Sequence, residues 1–348
     1  MPDPVPRPFP SRSRRKSRCN PEKSNPSELL VQVGFFFGIK TPDRQKIEKS
    51  AGTGRGVPMR DYFCGWYFKC QSQTHTLAMI PAIHRRGSQR SASLQIICDS
   101  GSWNLAIPWK NGHVKTDRPW CAMGTSLFEP ARVHLDVQTE NCQISGDLLF
   151  GEITPLAYDI MGPFRYVPFL ECRHMVYSME HPVSGKIRLN GEVLDFSQGK
   201  GYLEGDRGHS FPRGYAWTQC FFPGGSLMLA AAEIPIGPSR FWGVIGVVYL
   251  EGKEYRLATY LGAKLRKLRD GEILVTQSKL ELWAKRLEGE GSPLQAPVQG
   301  AMKRVIREQV ACEARYVLKE QGRVLLEFTS NQASFEFESI NGGKAGRV

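Results

Sequence analysis

Short runs of alternating apolar and polar residues, closed by glycine-bearing turns, leave this chain few folds other than antiparallel β from Tyr62 onward. Between Lys186 and Phe196, the apolar residues Ile187, Leu189, Val193 and Phe196 flank Asn190-Gly191, a dipeptide that takes the positive φ angles of a two-residue hairpin turn. The same logic predicts hairpins turning at Gly224-Gly225, Glu251-Gly252 and Gln321-Gly322, with a last strand alternating at Phe335 and Phe337. Sustained helical periodicity is hard to find. Hairpins in series predict an all-β fold of barrels or sandwiches, which leave few exposed edges.

At 348 residues the chain has room for two lobes, expected at 59–175 and 176–340. A faint internal echo agrees with two lobes. Trp66 to Cys70 leads to Leu77-Ala78-Met79-Ile80-Pro81, and Trp217 to Phe221 leads to Leu229 through Pro235. No apolar run is long enough for a membrane-spanning helix, so a soluble protein is expected.

Residues 1–58 differ in kind. They hold nine prolines, 12 of the 46 Lys and Arg and 5 of the 34 Asp and Glu, a net of +7, which leaves only +5 of the total +12 for the rest. The folded part is therefore mildly basic, and no nucleic-acid partner is expected. A disordered basic arm is predicted for 1–58, with the sharper alternative that Met59 is the natural start. Nine scattered cysteines lack metal-ligand spacing; several, such as Cys98 after Leu94, Ile96 and Ile97, sit in apolar strands. Free thiols in a reducing, cytoplasmic setting are expected.

The densest group of ionisable and aromatic residues is Gly201 to Cys220, GYLEGDRGHSFPRGYAWTQC. Glu204, Asp206, Arg207 and His209 cluster there beside Phe211, Trp217 and Phe221. Desolvation against that apolar wall raises a carboxylate pKa and a neighbouring Arg207 lowers it, so the two acids can differ in protonation. Two readings fit the spacing: an acid site, or a turn with a local Asp206–Arg207 ion pair.

Several elements in a fixed order give this chain a resemblance to the tocopherol cyclase family over nearly all of Met59 to Glu338. Phe63-Cys64-Gly65-Trp66-Tyr67-Phe68-Lys69 resembles the family's opening F-x-G-W-Y-F-K. Met161-Gly162-Pro163-Phe164, followed by Pro168-Phe169-Leu170-Glu171, is similar to its central segment. Glu204-Gly205-Asp206-Arg207-Gly208, Phe211-Pro212 and Trp217-Thr218-Gln219-Cys220-Phe221 resemble E-K-N-W-G, F-P and W-x-Q-C-N. The sequence departs where Asp206 and Arg207 replace Asn and Trp and where Phe221 replaces Asn.

The resemblance implies two lipocalin-like lobes, kinship with carotenoid hydratases, and acid-catalysed chemistry on a prenyl double bond. Glu204 is the expected proton donor, with Asp206 as the second catalytic acid. Trp66, Tyr67, Glu171, His174, Arg207, His209, Trp217 and Gln219 are the expected substrate-binding residues. Trp66 and Tyr67 are adjacent on a strand, so only one of them can face the ligand. An apolar isoprenoid-type ligand is expected, with peripheral membrane contact for its uptake, no protein partner, no cofactor and no metal. The rival readings are a non-catalytic isoprenoid or quinone carrier and a hydratase. His75, His84, His113, His134 and His181 are expected at the surface, and Lys303, Arg304 and Arg307 on a solvated edge. No GxGxxG, P-loop, nucleophile elbow or HExxH is present.

Overall fold

Three of the four predicted hairpins turn on the residues named. In this computed structural model Asn190 and Gly191 have φ of 49° and 91°, Glu251 and Gly252 of 50° and 78°, and Gln321 and Gly322 of 54° and 81°. The fourth turn lies one residue earlier, on Pro223-Gly224, because Phe222 pairs with Gly225. Gly225 is a strand residue whose Cβ would stand 1.8 Å from the Tyr249 carbonyl oxygen. The structure describes residues 61–167, 170–236, 239–269, 271–288 and 292–338. The expected arm (1–58) and start at Met59 lie outside the described residues, as do the side chains of Lys303, Arg304 and Arg307.

The chain is all-β, built as two lipocalin-like antiparallel sheets. The first comprises β1 (Tyr62–Gln71), β2 (Thr76–Arg86), β3 (Gln89–Cys98), β4 (Gly101–Ile107), β5 (Gly112–Val114), β6 (Cys121–Met123), β7 (Ser126–Glu129), β8 (Arg132–Gln138), β9 (Gln143–Phe150), β10 (Cys172–Leu189), β11 (Glu192–Asp195) and β12 (Gly199–Gly208). The second comprises β13 (Tyr215–Phe222), β14 (Gly225–Ile236), β15 (Ser239–Leu250), β16 (Lys253–Ala258), β17 (Lys264–Arg269), β18 (Glu272–Gln277), β19 (Leu280–Glu288), β20 (Ser292–Val298), β21 (Ala301–Glu320) and β22 (Arg323–Glu338).

The two sheets follow one path. In each, the first strand lies mid-sheet between its successor and the sheet's last strand: β1 between β2 and β12, β13 between β14 and β22. The topology therefore repeats, although the sequence echo does not mark equivalent side chains, since Trp66 faces the first core and Trp217 faces away from the second. The sheets divide between Gly208 and Tyr215, whereas the expected division after residue 175 falls inside β10. The reason is pairing: β12, which carries GYLEGDRG, is hydrogen-bonded to both β1 and β10.

Alternation sends one face of most strands into their sheet's own core. Trp66, Phe68 and Cys70 join Leu94, Phe128 and Leu203 in the first, where Phe68 packs 5.3 Å from the Phe128 ring. Ala216, Cys220 and Phe222 join Val248, Tyr316 and Phe335 in the second. A third core lies where the sheets meet back to back, made of residues from the opposite faces: Tyr67, Tyr202, Tyr215, Trp217, Phe221, Met228 and Val247. Hence β1 and β13 are buried on both faces. His84 and His181, expected at the surface, are buried and meet Ser93 and Ser178 hydroxyls at 3.1 and 3.0 Å, having alternated inward with their strands. The eight described cysteines are free, and seven of them are buried.

Candidate functional site

The polar faces of β1, β12 and β10 lie side by side at the seam between the sheets. Tyr67 stands opposite Glu204, and Asp206 opposite His174. The strands that approach from the second sheet bring Trp217 and Gln219 on β13, Glu308 on β21 and Glu336 on β22. Glu308 and Glu336 are directly opposite one another.

Glu204, only 5% exposed, is surrounded by donors. Its Oε2 accepts from the Tyr202 hydroxyl at 2.5 Å and from Trp217 Nε1 at 3.2 Å. His174 Nε2 lies 3.1 Å from the same oxygen, off the line of a hydrogen bond, so that contact is electrostatic. The other ring nitrogen, Nδ1, meets Asp206 Oδ1 at 3.0 Å. Burial alone pushes the His174 imidazole down, but Glu204 and Asp206 on either side outweigh it and hold the ring well above its usual range. An imidazolium between two carboxylates results. His174, Glu204 and Asp206 bring their ligating atoms within 4.8 Å of one another, yet a cation there would have to displace a proton from the imidazolium, whose Nδ1 is bound to Asp206.

A second acid group adjoins it. Tyr67 donates its hydroxyl to Glu308 Oε1 at 2.7 Å, while Glu308 Oε2 is buried without a hydrogen-bond partner and Glu336 lies directly across the ladder. Burial raises both acids: Glu308 to about 7, against the lowering pull of the Tyr67 hydroxyl and Glu336, and Glu336, pushed further by the charge of Glu308, well above the usual range. Two carboxyls this close in a desolvated seam cannot both ionise, so at least one keeps its proton near neutrality. Lys69, also fully buried, donates to Gln219 Oε1 at 2.8 Å and sits 5.5 Å over the Phe221 ring; burial lowers it to about 8. Tyr67 and Trp217 meet edge to face at 5.5 Å, which lines the acids with aromatic surface.

The seam thus gathers Glu204, Asp206, His174, Tyr67, Trp217 and Gln219 from the expected set. Trp66 is not among them: it points into the first core and donates Nε1 to the Lys115 carbonyl at 2.8 Å. Arg207 projects from the opposite face of β12 to Asp206, with Nη1 3.3 Å from the Thr116 carbonyl, so the cation beside the acids is His174 and the expected Asp206–Arg207 pair does not form. His209 is exposed, and Glu171 holds the adjoining loop through its carbonyl, which accepts the His209 N–H at 2.9 Å. Lys69, Tyr202, Glu308 and Glu336 were missed. Glu336 in Phe335-Glu336-Phe337-Glu338 and Lys69 between Phe68 and Cys70 alternate onto what reads as a solvent face; the only available signal was that Lys69 lies inside the F-x-G-W-Y-F-K element.

No protein-family model matches the chain. It is 25% identical over 259 residues to a protein named probable tocopherol cyclase, chloroplastic, from Oryza sativa subsp. japonica, and 24% identical over 256 residues to the tocopherol cyclase, chloroplastic, of Zea mays; each alignment covers 68% of this chain. The chain spans about half the length of these relatives, 51% of each. The solved structure of CghA superposes with a TM-score of 0.53 at 11% identity, over 83% of this chain and 95% of that one. CghA with Sch210972 gives 0.52 at 10% identity, over 82% and 93%. By sequence the chain resembles the tocopherol cyclases, and by fold it is an all-β protein of the lipocalin-like kind seen in CghA.

Proposed function

We propose that the chain is a tocopherol cyclase-like enzyme that protonates an alkene of a prenylated quinol or related isoprenoid and closes a ring within the same molecule. The observation that carries this reading is the buried Glu308–Glu336 pair, which keeps a proton near neutrality beside the rings of Tyr67 and Trp217. Protonating a trisubstituted alkene requires a carboxylic acid in a dry site, and the tertiary cation that follows is stabilised by aromatic faces. Glu308 is the better donor. Glu204, the acid favoured from sequence, is arranged as an acceptor by Tyr202 and Trp217, with the His174 ring as a charge beside it.

In the proposed step the alkene π pair takes the Glu308 proton to form a C–H bond. A hydroxyl oxygen of the ligand then donates a lone pair to the cation, and its proton passes to a seam carboxylate, that of Glu204 or the one Glu308 has become. The product is an isomer of the substrate, and the site's proton count is unchanged.

Incubation with a prenylated quinol in D2O, followed by mass spectrometry, tests the reading. A ring-closed isomer with one non-exchangeable deuterium is expected. Recovery of unchanged ligand identifies a carrier, and gain of water a hydratase. Glu308→Gln should lose at least a hundredfold in turnover with ligand affinity within a few-fold, since general acid catalysis contributes about 10²–10⁴-fold. Asp206→Asn, which keeps an acceptor for His174 Nδ1, should lose less than tenfold. A loss below tenfold for Glu308→Gln rejects Glu308 as the acid.

A further inference from the structure

A cleft of about 240 Å³ opens where the ends of β1, β10 and β12 meet the short 3-10 turn Gly162–Tyr166. Three arginines line it, Arg165, Arg173 and Arg207, together with Tyr62, Phe164 and Leu170. Two of its cations face away from the acids, because Arg173 and Arg207 are the strand neighbours of His174 and Asp206 and so project from the opposite face, while Phe164 and Leu170 pack against the apolar core of the seam.

The charges in this cleft are not balanced among the groups that line it. Arg173 and Arg207 are direct cross-strand partners, and like charges placed opposite one another destabilise a sheet. One carboxylate serves two of the three cations: Asp159 Oδ2 lies 3.0 Å from Arg173 Nη2 and 3.9 Å from Arg165 Nη1. Arg207 donates to a neutral carbonyl, that of Thr116. The Nε of Arg173 is buried without a hydrogen-bond partner. A buried donor left unmade costs free energy, and a planar guanidinium fork is shaped for two anionic oxygens.

We propose that this cleft binds the anionic group, a carboxylate or phosphate, of an amphipathic small molecule whose apolar part rests on Phe164, Leu170 and Tyr62. The anion bridges Arg173 and Arg207 and so relieves their opposition. The apolar lining sets the class apart from a bare inorganic ion. The proposal does not depend on the cyclisation reaction, because its readout is binding.

Titration calorimetry with hexyl phosphate, hexanol and inorganic phosphate tests it on the full chain. Hexyl phosphate is expected to bind at least tenfold more tightly than either of the others, and Arg207→Met to weaken it at least tenfold. Arg207→Lys, which keeps the charge but not the fork, should fall between. Circular dichroism of Arg207→Met checks that its fold is retained. Sedimentation with phosphatidic acid vesicles separates the sources: a membrane headgroup makes the protein sediment in an Arg207-dependent way, and a free metabolite leaves it in the supernatant. Equal affinity for hexanol would overturn the anion site, as would hexyl phosphate binding unchanged in both Arg207→Met and Arg173→Met. Equal affinity for inorganic phosphate would overturn the apolar half.

Discussion

Glu308→Gln should change how stability depends on pH in a direction that the geometry dictates. Glu308 is fully buried, and burial first, then the charge of Glu204, raise its carboxyl from 4.5 to about 7 against the opposing pull of the Tyr67 hydroxyl, Glu336 and Lys69. Its folded value lies above its unfolded one. Between about pH 4.5 and 7 the native state therefore holds a proton that the unfolded chain has released. This contribution is fully present below pH 4.5 and falls by roughly 1.4 kcal/mol per pH unit across the window, about 3 kcal/mol in all. Glutamine does not titrate, so the variant lacks it. Relieved of a neighbouring charge, Glu336 should also ionise more readily, which flattens the variant further.

Other groups act in the same range but are common to both proteins. His84 and His181, lowered by burial to about 4, supply stability that is lost as pH falls below the usual imidazole value. His174, held high by its carboxylates, supplies stability that is present below that value and lost as pH rises through its folded one. Both cancel in the difference. Urea unfolding at pH 5, 6 and 7, with the m-value checked for constancy, should show the variant gaining on the parent by about 2 kcal/mol from pH 5 to 7, the part of the window those points span. Curves that run parallel within about 0.5 kcal/mol would refute the protonated buried pair.

Two further outcomes follow from packing. Gly205→Ala should destabilise by about 1–3 kcal/mol, because a Cβ there would stand 2.6 Å from the ring of Trp66, itself anchored to Lys115; unchanged or higher stability on chemical denaturation would show that the ring yields freely. The seven buried thiols should resist iodoacetamide in the native protein at neutral pH and all react in denaturant without a reductant, since burial raises Cys70, Cys121 and Cys312; rapid native labelling of two or more by peptide mapping would contradict that burial.

Much of the candidate site was legible because it lies on one segment. Glu204, Asp206 and Trp217 fall within twenty residues, and their resemblance to known motifs drew attention to them. His174 was among the expected substrate-binding residues, yet its place between the two acids depends on β10 pairing with β12 in one register. Arg207 was misread for a local reason: as the next residue after Asp206 it looks like an ion-pair partner, whereas strand alternation sends the two side chains to opposite faces.

The sequence by itself determined the β class, three of the four hairpin turns and the division of each strand into two faces, because these depend on contacts within a few residues: a positive φ at Asn190-Gly191, or Phe335 and Phe337 on one side and Glu336 on the other. Only the tertiary structure decided what covers the second face. A lone sheet would leave Lys69, Glu308 and Glu336 in water, as their alternation suggests. Packing the two sheets back to back turns that polar face into a desolvated seam. Burial then raises the paired acids and lowers the lysine. Such shifts arise from the loss of water around charges brought together from strands 241 residues apart, Tyr67 to Glu308, and no local pattern in the chain encodes that distance.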